Sequence, residues 1–116
     1  DETIVHACEL MEKNRIGALI VVDKKTNKDE SHLVGIITER DIVKEIAHLH
    51  KGFESQTVDK VMSKKLISVN SESSTDNAIG LMIENQIRHL AVIDDEKLVG
   101  VISMRDIFYS LNLLKT

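Results

Sequence analysis

The stretch Gly35-Ile36-Ile37-Thr38-Glu39-Arg40-Asp41, running on into Ile42-Val43, returns later as Gly100-Val101-Ile102-Ser103-Met104-Arg105-Asp106, running on into Ile107-Phe108. Both copies read glycine, two aliphatics, a hydroxyl residue, two variable positions, an aspartate and an aliphatic pair. The aliphatics ahead of the hydroxyl read as the end of a strand, and the apolar positions behind it as one face of a helix. Each copy is therefore a strand-to-helix turn. Thr-x-x-Asp and Ser-x-x-Asp at such a turn also fit a capping box, with Thr38 or Ser103 as N-cap. A cap of that kind stabilises its helix by about 1 kcal/mol. Spacing alone leaves open whether the turns hold a ligand as well.

Working outward, the order of elements repeats. Asp1 to Asn14 reads as a helix with Thr3 as N-cap and Ile4, Ala7 and Met11 at helical spacing. Leu19–Val22 and Leu33–Ile37 read as strands, and Glu39 to His50 as a helix ended by Gly52. Thr57 is placed to cap a short turn through Met62, and Leu66–Val69 reads as a strand. A helix from about Thr75 to Gln86, strands Leu90–Ile93 and Leu98–Ile102, and a helix Arg105–Leu114 complete the pattern. Ala7, Met11, Asn14, Ile16, Leu19, Val21 and Asp23 match Ala78, Met82, Asn85, Ile87, Leu90, Val92 and Asp94 at an offset of 71. Leu33, Val34, Gly35, Arg40, Asp41 and Ile42 match Leu98, Val99, Gly100, Arg105, Asp106 and Ile107 at an offset of 65. The difference lies in one polar turn, the kind of place a duplicated fold tolerates insertion. Domains over 1–52 and 53–116 follow. The first has no equivalent of Val58–Ser71, so a leading segment is expected to be removed, disordered or part of a longer protein.

Bulk properties narrow the function classes. The chain has 116 residues, 42% of them hydrophobic and 29% charged, as in one ordinary globular domain with a core of its own. A formal net charge of -4 argues against nucleic acid or an anionic membrane as partner. Only 3% of residues are aromatic, which leaves little stacking surface for single strands. No apolar run is long enough to span a bilayer. Cys8 is the single cysteine, which excludes an internal disulfide and suits a reducing, cytoplasmic compartment.

The two turns, together with Asn14–Asp23 and Asn85–Asp94 ahead of them, resemble a tandem pair of CBS domains, the arrangement called a Bateman module. Val61-Met62-Ser63 before Leu66–Val69 is similar to that family's entry into its second domain. The resemblance covers nearly the whole chain. It implies an α/β fold of the α+β type: two units related by a pseudo-twofold axis, each a small sheet packed by helices. It also implies clefts that bind adenosyl ligands (AMP, ADP, ATP or S-adenosylmethionine), with no cofactor required and a regulatory rather than catalytic role.

The residues fit that chemistry. A carboxylate accepts from both hydroxyls of a ribose cis-diol, the part assigned by family pattern to Asp41 and Asp106. Thr38 and Ser103 are within reach of ribose or phosphate, a helix N-terminus favours an anion, and Arg40 and Arg105 add positive charge. By the same pattern Thr38 and Asp41 face Met62, Ile67, Ile87, Arg88 and His89, with Ile67 and Ile87 sandwiching a purine. Ser103 and Asp106 face Ile16, Gly17 and Ala18. The Asp41 turn is then expected to be the better nucleotide site.

Other constellations are weak. His48 and His50 point to different helix faces and make no metal pair. Cys8 has no paired base and reads as a core or near-core residue. Lys24, Lys25, Lys28, Asp29 and Glu30 read as a solvated loop. No nucleophile or acid–base pair for an enzyme is visible. Ile79, Leu81, Met82 and Ile83, and Ile107, Phe108, Leu111, Leu113 and Leu114, spread apolar character beyond one stripe. That surplus points to a homodimer. The alternative is a ligand-independent dimerisation or docking module.

Overall fold

The two hairpins pair in the same register. In a computed structural model, which describes residues 2–23 and 32–110, β1 (Ala18–Asp23) runs antiparallel to β2 (His32–Thr38). β4 (His89–Asp94) runs antiparallel to β5 (Lys97–Ser103). Ala18 lies opposite Thr38 and His89 opposite Ser103, and each hairpin carries a bulge at the matched place, between Val21 and Val22 and between Val92 and Ile93. The offsets of 71 and 65 are thus a structural register. The chain forms two compact units, Asp1–Leu66 and Ile67–Thr116.

In the first unit, α1 (Ile4–Asn14) is capped by Thr3, whose hydroxyl accepts from the His6 N–H at 3.1 Å. Ile4, Ala7 and Met11 fall on one helical face and bury against Ile37 of β2, Ile42 of α2 (Glu39–Leu49) and Val58 of α3 (Val58–Val61). Full burial of Ile4 and Ile37 contributes about 1.5–3 kcal/mol each. Cys8 packs partly buried against this core, as expected. Residues Phe53–Leu66 also pack in this unit: Val58 donates to the Glu2 carbonyl at 2.8 Å, and Ile36 and Ser63 exchange backbone bonds at 2.9 and 2.8 Å. Gly52 does not end α2. His50 does, at φ 63, and Gly52 at φ 84 leads into a 3-10 turn over Phe53–Ser55.

In the second unit, β3 (Ser68–Asn70) runs parallel to β4, which gives the order β3-β4-β5. The expected strand Leu66–Val69 is shifted along the chain: its ladder with β4 covers Ser68–Asn70, and Ile67 adds a single carbonyl bond from the Ala91 N–H. α4 (Thr75–Asn85) and α5 (Met104–Ser110) cover Val69, Leu90 and the rest of the core. Ala78, Met82, Leu90 and Ile107 repeat Ala7, Met11, Leu19 and Ile42, and all four are buried. Both long helices ahead of the hairpins stop alike. Arg15 and Gln86 take φ 55, and Ile16 and Ile87 donate to the Met11 and Met82 carbonyls at 3.0 and 2.9 Å. Asn14 and Asn85 donate side-chain bonds to the Leu10 and Leu81 carbonyls, so their recurrence closes helices. The charged loop around Lys24–Glu30 and the expected helix beyond Ser110 lie outside the described residues.

Candidate functional site

β2 ends at Thr38, and α2 starts on the next residue. The Thr38 hydroxyl accepts from the Asp41 N–H at 3.2 Å, and Asp41 Oδ2 accepts from the Thr38 N–H at 2.9 Å. Ser103 and Asp106 make the same reciprocal pair at 3.0 and 2.9 Å. The capping-box reading is therefore correct for both turns. A carboxylate has two oxygens, and the cap uses one. The remaining lone pairs of Asp41 and Asp106 are the acceptors a diol would need.

What stands beside each turn is set by the hairpin. Thr38 is the register partner of Ala18, and the Glu39 N–H donates to the Gly17 carbonyl at 3.0 Å. Ser103 is the partner of His89, and the Met104 N–H donates to the Arg88 carbonyl at 2.9 Å. Strand pairing thus gives Arg88 and His89 to the Ser103–Asp106 turn of their own unit. Within its own unit the Asp41 turn has Gly17 and Ala18 beside it, and the Asp106 turn has Arg88 and His89. Nothing in the residue spacing reveals this. The antiparallel register does.

The remaining candidates divide. Ile67 and Ile87 are partly buried on the second core, and the Ile67 carbonyl accepts from the Ala91 N–H at 3.1 Å. Met62 packs on the first core and against Gly35, where an added Cβ would lie 2.9 Å from its sulfur. Ile16 is 45% exposed and Ala18 is buried. The Arg105 guanidinium carbon lies 6.0 Å from the Tyr109 ring centroid, a cation–π contact along α5. Arg40 is exposed. A depression in the first unit, lined by Ala7, Leu10, Leu19, Val21, Ile37 and Met62 among others, lies beside β1. In the second unit the matching edge is paired with β3, and Val69 fills the core there. Among the described residues no group of three or more His, Cys, Asp or Glu is arranged to hold a metal, and no helix is long and apolar enough to cross a membrane.

Two duplicated α/β units, each with a capped strand-to-helix turn, define a tandem small-domain module. The chain matches the CBS domain family over residues 1–48 and 58–112. It belongs to that family, and its fold is that of a CBS pair. It is 36% identical over 109 residues to the mitochondrial CBS domain-containing protein CBSX3 of Arabidopsis thaliana, covering 92% of this chain and 52% of that one. The CBS-domain protein ATU1752 of Agrobacterium tumefaciens superposes with a TM-score of 0.86 at 30% identity, over 96% of this chain and 84% of that one. The CBS pair of protein MJ0100, solved with 5′-methylthioadenosine and S-adenosyl-L-methionine, superposes at 0.79 with 28% identity, over 96% and 86%. The chain spans 52–62% of the length of the first curated relatives it matches.

Proposed function

We propose that this chain is a regulatory module that binds an adenosyl ligand at its strand-to-helix turns and works as a homodimer rather than as an enzyme. One observation carries the reading: the β4–β5 register, which sets His89 opposite Ser103 and hangs Met104 from the Arg88 carbonyl. Arg88, His89, Ser103 and Asp106 then meet at one end of one hairpin. In this reading Asp106 accepts from the ribose hydroxyls, Ser103 bonds ribose or the first phosphate, and Arg88 and His89 face the phosphate. Ile67 and Ile87 offer apolar surface for the base. Thr38 and Asp41 form the second acceptor set, with Ile16, Gly17 and Ala18 beside it. Met62, Arg40 and Arg105 are secondary, since Met62 packs on Gly35 and Arg105 lies along Tyr109. The adenosyl ligands of the MJ0100 pair support the ligand class.

Ligand binding would shift the packing of the units or of two copies, and so act on a partner or an attached domain. The expected compartment is the cytoplasm. Thermal-shift and calorimetric titration with AMP, ADP, ATP and S-adenosylmethionine tests the reading, and no response to any of the four overturns it. The second reading, docking without ligand, draws on Val43 and Ile83, which are 66% and 67% exposed on their helices. Self-association with no adenosyl response would favour it.

A further inference from the structure

Two strands of the same pattern carry different cover. β2 and β5 match at the offset of 65, Gly35 with Gly100 and Ile36 with Val101. On β2 the outer edge is taken. Ile36 and Ser63 exchange backbone bonds at 2.9 and 2.8 Å in an antiparallel bridge, and Met62 lies against Gly35. Gly35 and Ile36 are buried under that cover. On β5, the edge strand of its sheet, the matched places are open. Among the described residues nothing beyond its chain neighbours comes within 4 Å of a Cβ built on Gly100, and Gly100 and Val101 are only half-buried. The Val101 backbone faces outward. Its register partner Ala91 donates away from β5, to the Ile67 carbonyl at 3.1 Å. Ala91 and Val101 are therefore a pair with no hydrogen bonds between them, and the Val101 N–H and C=O point off the sheet edge. Ile20 and Ile36 stand in the same relation, and there Ser63 takes both outward groups.

We infer that the β5 edge at Gly100–Val101 is a docking seat for a second stretch of the Val58–Ser63 type, carried on the same polypeptide. One extended residue pairs antiparallel with Val101, and an unbranched apolar side chain ahead of it lies over Gly100. The interface is the one the chain already makes at Gly35–Ile36, where the flexible thioether of Met62 fills the room a glycine leaves. The seat also accounts for Gly100 itself. Glycine inside a strand weakens it, and its use there marks the close approach of another backbone. The source of the occupant follows from size. Two backbone bonds and one side chain are too small a surface to hold a free peptide, or a second copy, against the freedom lost on association. A tethered stretch meets the seat at high effective concentration and needs no larger surface. The seat is independent of any ligand at the turns.

The test extends the full chain. Thr116 matches Lys51 at the offset of 65, so a copy of Gly52–Lys65 joined directly after Thr116 offers β5 a second Met-Ser pair at the spacing β2 uses. Hydrogen exchange followed by NMR should find the Val101 amide protected about tenfold or more over the unextended chain, with Ile36 protected in both. Gly100→Ala puts a Cβ into the seat and should abolish that gain while leaving the unextended chain near wild-type stability. Alanine in place of the methionine within the appended copy should reduce the gain as well. Equal Val101 exchange with and without the extension, or an equal gain in Gly100→Ala, overturns the inference. If the extended chain does not fold, the same copy joined ahead of Asp1 through a Gly/Ser linker is measured against the same two results. A loss of self-association on Gly100→Ala in the unextended chain, read by light scattering, also overturns it, since the edge would then belong to a second copy.

Discussion

Asp41 and Thr38 hold each other at both ends of one three-residue step: the Asp41 carboxylate accepts from the Thr38 N–H at 2.9 Å, and the Asp41 N–H donates to the Thr38 hydroxyl at 3.2 Å. The same two side chains are the proposed ribose and phosphate contacts, so cap and ligand roles must be separated by choice of substituent. Thr38→Ala removes the hydroxyl acceptor and should cost about 1 kcal/mol in urea unfolding. Asp41→Asn keeps an oxygen for the Thr38 N–H and should cost less than about 1 kcal/mol, chiefly through the lost charge at the helix start. Asp41→Asn should nonetheless weaken any ligand of the first turn, because the charge-assisted pair is gone.

The two motif glycines, identical in the sequence pattern, should behave differently. A Cβ on Gly35 would lie 2.5 Å from the Ser63 carbonyl oxygen and 2.9 Å from the Met62 sulfur. Gly100 has nothing within 4 Å of that point. Gly35→Ala should therefore cost about 1–3 kcal/mol, since the Ser63 backbone is pinned to Ile36. Gly100→Ala should stay within about 0.5 kcal/mol of wild type or stabilise slightly. Thermal unfolding of the two variants side by side checks this.

Glu2 and His6 form an ion pair one turn apart at the start of α1. The hydrogen bond to Glu2 raises the His6 imidazole above its ordinary 6.5, and the bond to His6 holds Glu2 below its ordinary 4.5. The raised histidine stabilises the folded state below pH 6.5 and loses that contribution as pH rises through its folded value. The depressed glutamate contributes above pH 4.5 and loses it as pH falls through its folded value. The pair therefore acts most fully between those pH values, weakly, since both side chains are exposed and salt screens them. An NMR titration should find the His6 midpoint above 6.5, and Glu2→Gln should bring it down.

Homodimer formation through the helix faces predicts that Ile83→Lys reduces self-association in light scattering with little loss of stability. Ile83 is 67% exposed while its neighbour Met82 is buried to 1%. A wild-type chain that stays monomeric at high concentration contradicts the homodimer.

The fold was legible because duplication gives every weak local signal a second reading. Ala7 and Ala78, Met11 and Met82, and Ile42 and Ile107 each predict the other's burial, and all are buried. Capping boxes were legible because the chemistry is local, spanning three residues. The neighbours that strand pairing gives each turn within its own unit were not. Arg88 lies beside Met104 through hairpin register, which depends on where the bulge falls between Val92 and Ile93. The stop at His50 was also hidden, because a histidine at positive φ is set by its surroundings rather than by propensity. Nor could pattern alone distinguish Gly35 from Gly100, since what separates them is the approach of Met62 and Ser63.

The central claim is that the Ser103–Asp106 turn, with Arg88 and His89 beside it, binds a phosphorylated adenosyl ligand. Thermal unfolding of wild type and Asp106→Asn, each with and without AMP, tests it most directly. At a hundred times its dissociation constant AMP should stabilise wild type by about 2.7 kcal/mol. Asp106→Asn should unfold close to wild type without ligand and show little or none of that gain. An unchanged wild type in AMP, or an equal gain in Asp106→Asn, would contradict the account.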